Sequence, residues 1–90
     1  MAVDDTIMAQ RISHYHVEIR HPGQQDWTHI HNPKWETTPR ELAARLYARL
    51  VERDHPGSKA QIVQTQKLEI LTLATGKRNT LDLGRTILPR

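Results

Sequence analysis

One stretch of helix-forming residues near the middle of the chain sets the class of fold that this sequence can adopt. Its body, ELAARLYARLVERD, consists mostly of strong helix formers. Thr38, Pro39 and Glu41 match a capping box with proline at the first helical position. The HPG sequence at 55–57 should end the helix, because proline cannot continue it and glycine suits the exit. We therefore predict a single helix over about residues 39–54.

The apolar side chains of this helix cover an arc of about 200° on a helical wheel, whereas a helix that lies on one sheet needs a stripe of about 100°. The residues of this arc are Leu42, Ala43, Ala44, Leu46, Tyr47, Leu50 and Val51. Something besides one sheet should therefore cover the helix. Either a partner chain does so, or the ends of the same chain do, through Ile7 and Met8 or through Ile87 and Leu88.

Two segments before the helix alternate between apolar and polar residues, as the strands of a hairpin do. Residues 11–21 form the first strand, the PGQQ sequence is a turn, and residues 26–32 form a shorter second strand. The predicted facing pairs are Val17 with Ile30, Ile19 with Thr28, His16 with His31, Glu18 with His29, and Arg20 with Trp27. Apolar pairs share one face and polar pairs the other, which supports this antiparallel register.

The region after the helix also predicts extended structure, but its alternation changes phase. Residues 60–74 are rich in residues that favour strands, and either a β-bulge or break near 64–67 or a strand covered on both faces at its end would explain the change. A turn at 75–79 leads into a return strand, in which Gly84 weakens the pairing or marks a bulge. The predicted pairs are Leu73 with Leu81, Leu71 with Leu83, and Glu69 with Arg85.

These elements predict a small α+β domain with the order β-β-α-β-β. One helix packs on an antiparallel sheet that consists of two hairpins. We assign residues 11–88 to this single domain and residues 1–10 to a flexible leader. The chain has 90 residues and no phenylalanine, so it can bury one modest core that is mainly aliphatic.

The composition excludes several classes of protein. The chain has no cysteine, which excludes a disulfide framework, thiolate metal sites and thiol catalysis. No apolar run approaches the roughly 20 residues that a membrane-spanning helix needs, so we expect a cytoplasmic protein without a membrane partner. The sequence contains no GxSxG motif, no readable Ser–His–acid set and no glycine-rich nucleotide loop. We therefore expect a non-enzymatic protein without a cofactor.

Four of the six histidines form two closely spaced pairs. They are His14, His16, His29 and His31. In the predicted hairpin all four lie on the polar face beside Glu18, where neutral imidazoles could bind zinc or copper. A solvated strand face is the simpler interpretation, and the same imidazoles are also candidates for a pH-responsive surface.

Basic and aromatic residues offer a second hypothesis, a nucleic-acid-binding surface. The net charge is +3, and Lys77, Arg78, Arg85 and Arg90 against Asp82 account for all of it. The GKRN turn could hold a phosphate or enter a nucleic-acid groove. The candidate residues for this function are Arg20, Trp27, Arg45, Arg49, Lys77 and Arg78.

The surplus of apolar residues favours a third hypothesis, a protein-interaction or assembly module that associates with itself or with another protein. Small α+β domains often bury such surface in two-fold symmetric dimers. The candidate interface residues are Leu46, Tyr47, Val51, Leu71 and Leu73. This hypothesis accounts best for the wide apolar arc of the helix, although the sequence specifies neither the partner nor the number of subunits.

Overall fold

The computed structural model describes residues 7–30 and 37–90, and it confirms the predicted α+β fold. The elements are β1 (Ile7–Arg20), β2 (Thr28–His29), α1 (Glu41–Asp54), β3 (Lys59–Thr72) and β4 (Lys77–Leu88). The four strands form one antiparallel sheet with the order β2-β1-β3-β4, and α1 packs on one side of it. In the described part of the chain, no helix has both the length and the apolar character to cross a membrane.

The first hairpin has the predicted register. Glu18 pairs with His29 and Ile19 with Thr28, and the backbone N–H of Ile30 donates to the Val17 carbonyl at 3.1 Å. The predicted pairing of His16 with His31 lies outside the described residues. β1 is longer than expected, because it begins at Ile7 and includes residues that we had assigned to the leader.

The centre of the sheet is the pairing of β1 with β3, which extends over 14 residues of each strand without a register shift. Because this ladder is regular, side chains alternate between the two faces along its whole length. One face carries Val17 and Ile19 of β1 and Ala60 and Ile62 of β3, all of which are buried against the helix. We call this the helix side of the sheet and the other face the back.

The helix begins later than predicted, so the proposed capping box is wrong. Helical structure starts at Glu41, and the capping position belongs to Arg40, whose side chain makes no capping hydrogen bond. Thr38 instead pairs with Tyr15 through two backbone hydrogen bonds of 2.8 and 2.9 Å. This pairing holds Thr38 against the sheet, and its Oγ1 accepts a hydrogen bond from the Arg40 N–H, before the helix begins.

The core lies between the helix and one half of the sheet. It consists of Val17, Ile19, Ala44, Ala48, Val51, Ala60 and Ile62. Two alanines of the helix, Ala44 and Ala48, are fully buried (0% exposed) and let the helix approach the strands closely. The predicted end of the helix is correct, since the His55 N–H donates to the Val51 carbonyl and the chain then turns into β3.

The second hairpin forms, but its predicted register is wrong. The turn occupies residues 73–76, earlier than expected, and the Gly76 N–H donates to the Thr72 carbonyl at 2.8 Å. As a result Leu73 lies in the turn, and the facing pairs include Leu71 with Arg78, Glu69 with Thr80, and Leu68 with Leu81. The register of β3 with β4 shifts between Gln66 and Lys67, and the additional residue is Leu83 of β4. The bulge predicted near 64–67 of β3 is therefore wrong, since β3 pairs with β1 without a shift. Gly84 follows it with a φ of 99°, which suits glycine.

Candidate functional site

The sheet is much longer than the helix that covers it, and this mismatch creates the most distinctive surface of the protein. A 14-residue strand is about 46 Å long, whereas the 14-residue helix is about 21 Å long. The helix therefore covers less than half of the sheet. The rest, which we call the arm, consists of residues 7–13 of β1, 66–72 of β3 and 77–84 of β4.

The dimensions of the molecule reflect this arm. The extents along its principal axes are 65, 24 and 21 Å, and its radius of gyration is 17.7 Å. A compact domain of this length would have a radius of gyration of about 12 Å. Because the arm extends beyond the core, its apolar residues lie outside the cluster that packs under the helix.

The two faces of the arm differ in chemistry. The back carries charged residues of both signs, with Lys67 facing Asp82 across the strands and Arg78 at 3.8 Å from Glu69. Such a mixed and paired face is suited to water. The back also carries three apolar residues, Met8, Ile12 and Leu71. The helix side carries more of them, and we call this group the arm face: Ile7, Ala9, Leu68, Ile70 and Leu81. Other positions on this side include Arg11, Thr72, Lys77 and Asn79. Ile7 and Leu81 are 58% and 54% exposed.

A band of polar side chains separates the arm face from the core on the same side of the sheet. The Tyr15 hydroxyl accepts a hydrogen bond from Gln64, and the Ser13 hydroxyl accepts one from Gln66. The arm face is therefore a separate apolar surface rather than a continuation of the core. Proteins seldom leave one face of a sheet apolar and uncovered, because a sheet normally buries such a face against another element.

The helix has a second apolar surface of its own, on the side that points away from the sheet. Leu42, Leu46 and Leu50 follow one another at intervals of four residues and are 68%, 53% and 44% exposed. At 100° per residue they lie opposite Ala44 and Ala48, which face the sheet. The helix thus buries small residues and exposes large ones, and we call its outer row the leucine stripe.

The predicted interface residues fall in three different places. Leu46 belongs to the leucine stripe, whereas Val51 is buried in the core and the half-buried Tyr47 packs against it. Leu71 is half-buried and lies on the back of the arm, and Leu73 is 49% exposed in the turn at its tip. The arm face itself was missed, because Ile7 and Ala9 had been assigned to a leader and the register of Leu81 was wrong.

A buried carboxylate organises the back of the sheet behind the core. Glu18 is 6% exposed and accepts hydrogen bonds from Gln61 at 2.9 Å and from Arg85 at 3.0 Å, and His16 Nε2 lies 3.1 Å from it. Burial raises the pKa of Glu18, but the hydrogen bonds and the charge of Arg85 outweigh it and hold that pKa below its ordinary value of 4.5. These contacts make Glu18 a structural anchor between β1, β3 and β4.

The described structure brings together two of the four histidines of the predicted metal site. The rings of His16 and His29 stack with their centroids 4.2 Å apart, next to Glu18. His14 lies farther along the back of β1, and His31 lies outside the described residues. Within residues 7–30 and 37–90, no group of three or more histidine, aspartate or glutamate side chains is arranged to hold a metal ion. The four-histidine site therefore stays a prediction.

The residues of the predicted nucleic-acid surface are spread along the molecule. Arg20 stacks over the Trp27 ring at 4.8 Å at one end, and Lys77 and Arg78 lie at the tip of the arm at the other. These two sites are about 43 Å apart along β1. A third group lies between them, where Arg45, Arg49 and Arg90 line a cavity of about 170 Å³ with Ile62.

Most of the cations around this cavity are already paired. Arg45 contacts Glu41 at 3.0 Å, one helical turn away, and also donates to the Pro89 carbonyl. Arg90 contacts Glu52 at 2.6 Å. The hydrogen bond from Arg90 lowers the pKa of Glu52, as does the one from the Ala60 N–H, although burial opposes them. These contacts connect the helix to the two residues after β4, so two of the three arginines that line the cavity are already paired.

The arm face and the leucine stripe are thus the two surfaces whose chemistry is least satisfied within the described chain. Each is apolar and exposed, and each lies outside the core. Their identification depends on the geometry of this molecule alone. The chain matches no known protein-family model, and comparisons with curated proteins and with solved structures gave no significant match.

Proposed function

We propose that this protein is a non-enzymatic assembly module that associates with itself through the uncovered helix side of its arm. The observation that supports this most directly is the arm face, a group of five apolar residues on one side of a sheet whose other side carries charges of both signs. Burial of that surface against a second molecule would remove apolar area from water, which is the main driving force of association. Because the chain needs no disulfide, a cytoplasmic location suits it.

The edges of the arm are consistent with this role. Among the described residues, residues 7–13 of β1 have no partner strand on their outer side, and β4 has none along its whole length. Exposed edges of this kind are sites where other chains add. They provide hydrogen-bonding groups next to the apolar face that the proposal uses.

Adjacent residues at the start of β1 provide a matched test of the proposal. Ile7 lies on the arm face and Met8 on the back, and both are 58% exposed. We expect Ile7→Asp to raise the dissociation constant for self-association by about 10-fold, because Ile7 lies at the outer end of the arm face. Leu81→Asp should act in the same way. Met8→Asp should change it little, because the back stays in water.

Sedimentation equilibrium over a range of concentrations measures these constants. A wild-type protein that stays monomeric at every concentration would overturn the proposal. If Ile7→Asp and Met8→Asp weakened self-association equally, the helix side of the arm would not be the interface. Unfolding experiments on each variant, which should give nearly unchanged stability for the monomer, separate loss of association from loss of folding.

One observation favours nucleic-acid binding as a second candidate function. Lys77 and Arg78 lie together at the tip of a protruding arm, and Lys77 makes no ion pair with a described residue. Such a tip could enter a groove and contact phosphates. Lys77→Glu combined with Arg78→Glu should then abolish binding of a labelled oligonucleotide, whereas Arg53→Glu on the helix should reduce it only slightly.

The effect of salt distinguishes the two functions. Binding to nucleic acid weakens steeply with salt, because it releases counterions. Self-association should instead become slightly tighter or stay constant, since Arg11 and Lys77 flank the arm face and Arg49 and Arg53 flank the leucine stripe. Like charges at the border of an apolar contact repel less when salt screens them. Self-association that is lost at moderate salt would contradict the proposed interface.

A further inference from the structure

The helix is apolar on two opposite sides, a pattern that suits a helix buried between two layers. Ala44, Ala48 and Val51 face its own sheet, while Leu42, Leu46 and Leu50 face outward. Within the described part of the chain, a sheet covers the first of these two sides and leaves the leucine stripe exposed. The arm face is an apolar sheet surface that lacks a helix. Each molecule thus has a helix surface, the leucine stripe, and a sheet surface, the arm face, that could pack against each other in two different molecules.

We propose that two copies of this chain pack reciprocally, with the leucine stripe of each helix on the arm face of its partner. This inference rests on the proposed self-association and specifies its geometry. Both contacts are equivalent by two-fold symmetry, as in the closed dimers that most homo-oligomers form. The result is a three-layer arrangement in which two helices lie between two sheets.

The lengths of the two surfaces agree. From Leu42 to Leu50 the leucine stripe spans about 12 Å, and from Arg11 to Ile7 the rows of the arm face span about 13 Å. The whole elements agree as well. Two helices of about 21 Å placed end to end would cover about 42 Å of strands that are about 46 Å long. The partner's helix would therefore fill the space that the chain's own helix leaves open.

The alternative packings of the same surfaces fit less well. If two arm faces packed on each other, both leucine stripes would stay in water. If two leucine stripes packed on each other, both arm faces would stay exposed. Only the reciprocal arrangement covers both kinds of surface in a closed dimer, and it does so without using the charged back of the sheet.

Cysteine cross-linking tests this geometry directly, because the natural chain contains no cysteine. Leu46→Cys and Ile70→Cys are prepared as separate variants, one of them isotope-labelled, then mixed and oxidised with diamide. In the reciprocal dimer these two positions face each other, so mass spectrometry should detect a covalent heterodimer. Neither variant alone should form much covalent dimer. A mixture of Leu46→Cys with Leu71→Cys is the control, since Leu71 lies next to Ile70 on the back.

The possible results separate the geometry from the proposed function. Covalent homodimers of Ile70→Cys alone, or of Leu46→Cys alone, would overturn the reciprocal packing in favour of arm on arm or stripe on stripe. If light scattering shows a dimer but no cross-links form, the reciprocal packing is wrong and self-association is still supported. A monomer in light scattering would overturn both. If Leu71→Cys cross-linked to Leu46→Cys as efficiently as Ile70→Cys does, the cross-links would come from random collisions, and the proposed contact with the arm face would be wrong.

Discussion

The two halves of the sheet share β1, β3 and β4 with the same antiparallel pairing, yet they differ in what covers them. Ile62 and Ile70 lie on the helix side of β3, but Ile62 is 1% exposed under the helix and Ile70 is only half-buried in the arm. We call the part under the helix the covered half. The alternation of a strand therefore determines which side chains share a face, whereas their burial depends on the length of the element above it.

The largest effect should come from truncation of these two isoleucines. Ile62→Ala should lower the free energy of unfolding by about 3 kcal/mol, since it leaves a cavity in a packed core. Ile70→Ala should lower it by less than about 1 kcal/mol in dilute solution, where the arm face is in contact with water. Urea unfolding of both variants at low protein concentration measures the difference.

The same pair of variants also tests the interface. At high protein concentration the cost of Ile70→Ala should grow, because association buries that side chain, and the cost of Ile62→Ala should stay the same. Equal costs for the two substitutions in dilute solution would contradict the distinction between the covered half and the arm.

An effect of intermediate size should come from the buried Glu18. Glu18→Gln removes a charged acceptor of hydrogen bonds from Gln61 and Arg85 and should cost roughly 2 kcal/mol. Glu69→Gln is the matched change in the arm, where the carboxylate is partly exposed and Arg78 lies 3.8 Å away. It should cost less than about 0.5 kcal/mol, as exposed ion pairs usually do. Thermal or urea unfolding at neutral pH distinguishes the two.

The dependence on pH follows from the direction of the pKa shift. Because the pKa of Glu18 is lower in the folded than in the unfolded protein, its contribution is fully present above the unfolded value near 4.5. It is lost as the pH falls through the lower, folded pKa. Wild-type stability should therefore decrease below pH 4.5 more than that of Glu18→Gln. Parallel pH profiles of the two proteins would show that Glu18 does not contribute in this way.

The smallest effect on stability should come from a substitution at the β-bulge of β4, where this strand leaves the arm. Gly84 has a φ of 99°, and a Cβ atom added there would meet no atom within 4 Å. Gly84→Ala should thus cost about 1 kcal/mol through backbone strain alone. An unchanged or higher stability in urea unfolding would show that the bulge relaxes, and the register of the arm would then be less fixed than its pairing indicates.

The sequence predicted those features that local patterns determine. Apolar alternation and turn residues were sufficient for the fold class and for the pairing of Glu18 with His29. The helical residues and the HPG exit were sufficient for the end of the helix at Asp54. These features depend on neighbours in the chain, which is why a single sequence reveals them.

Features that depend on distant contacts were not predictable in the same way. Thr38 looked like a helix cap, but its backbone pairs with Tyr15, far away in sequence. The second hairpin offered two leucine pairs in the wrong register, and the observed one depends on a turn closed by Gly76 and a bulge beside Gly84. The arm face required the true length of β1, which began before the predicted strand.

Hydrogen exchange followed by mass spectrometry, at low and at high protein concentration, tests the central claim most directly. The arm and the covered half share continuous strands, so each molecule contains its own reference. We predict that amide protection in residues 7–13, 66–72 and 77–84 rises with concentration, while protection in the covered half stays constant. Protection of the arm that is independent of concentration, together with a monomeric mass throughout, would contradict the account.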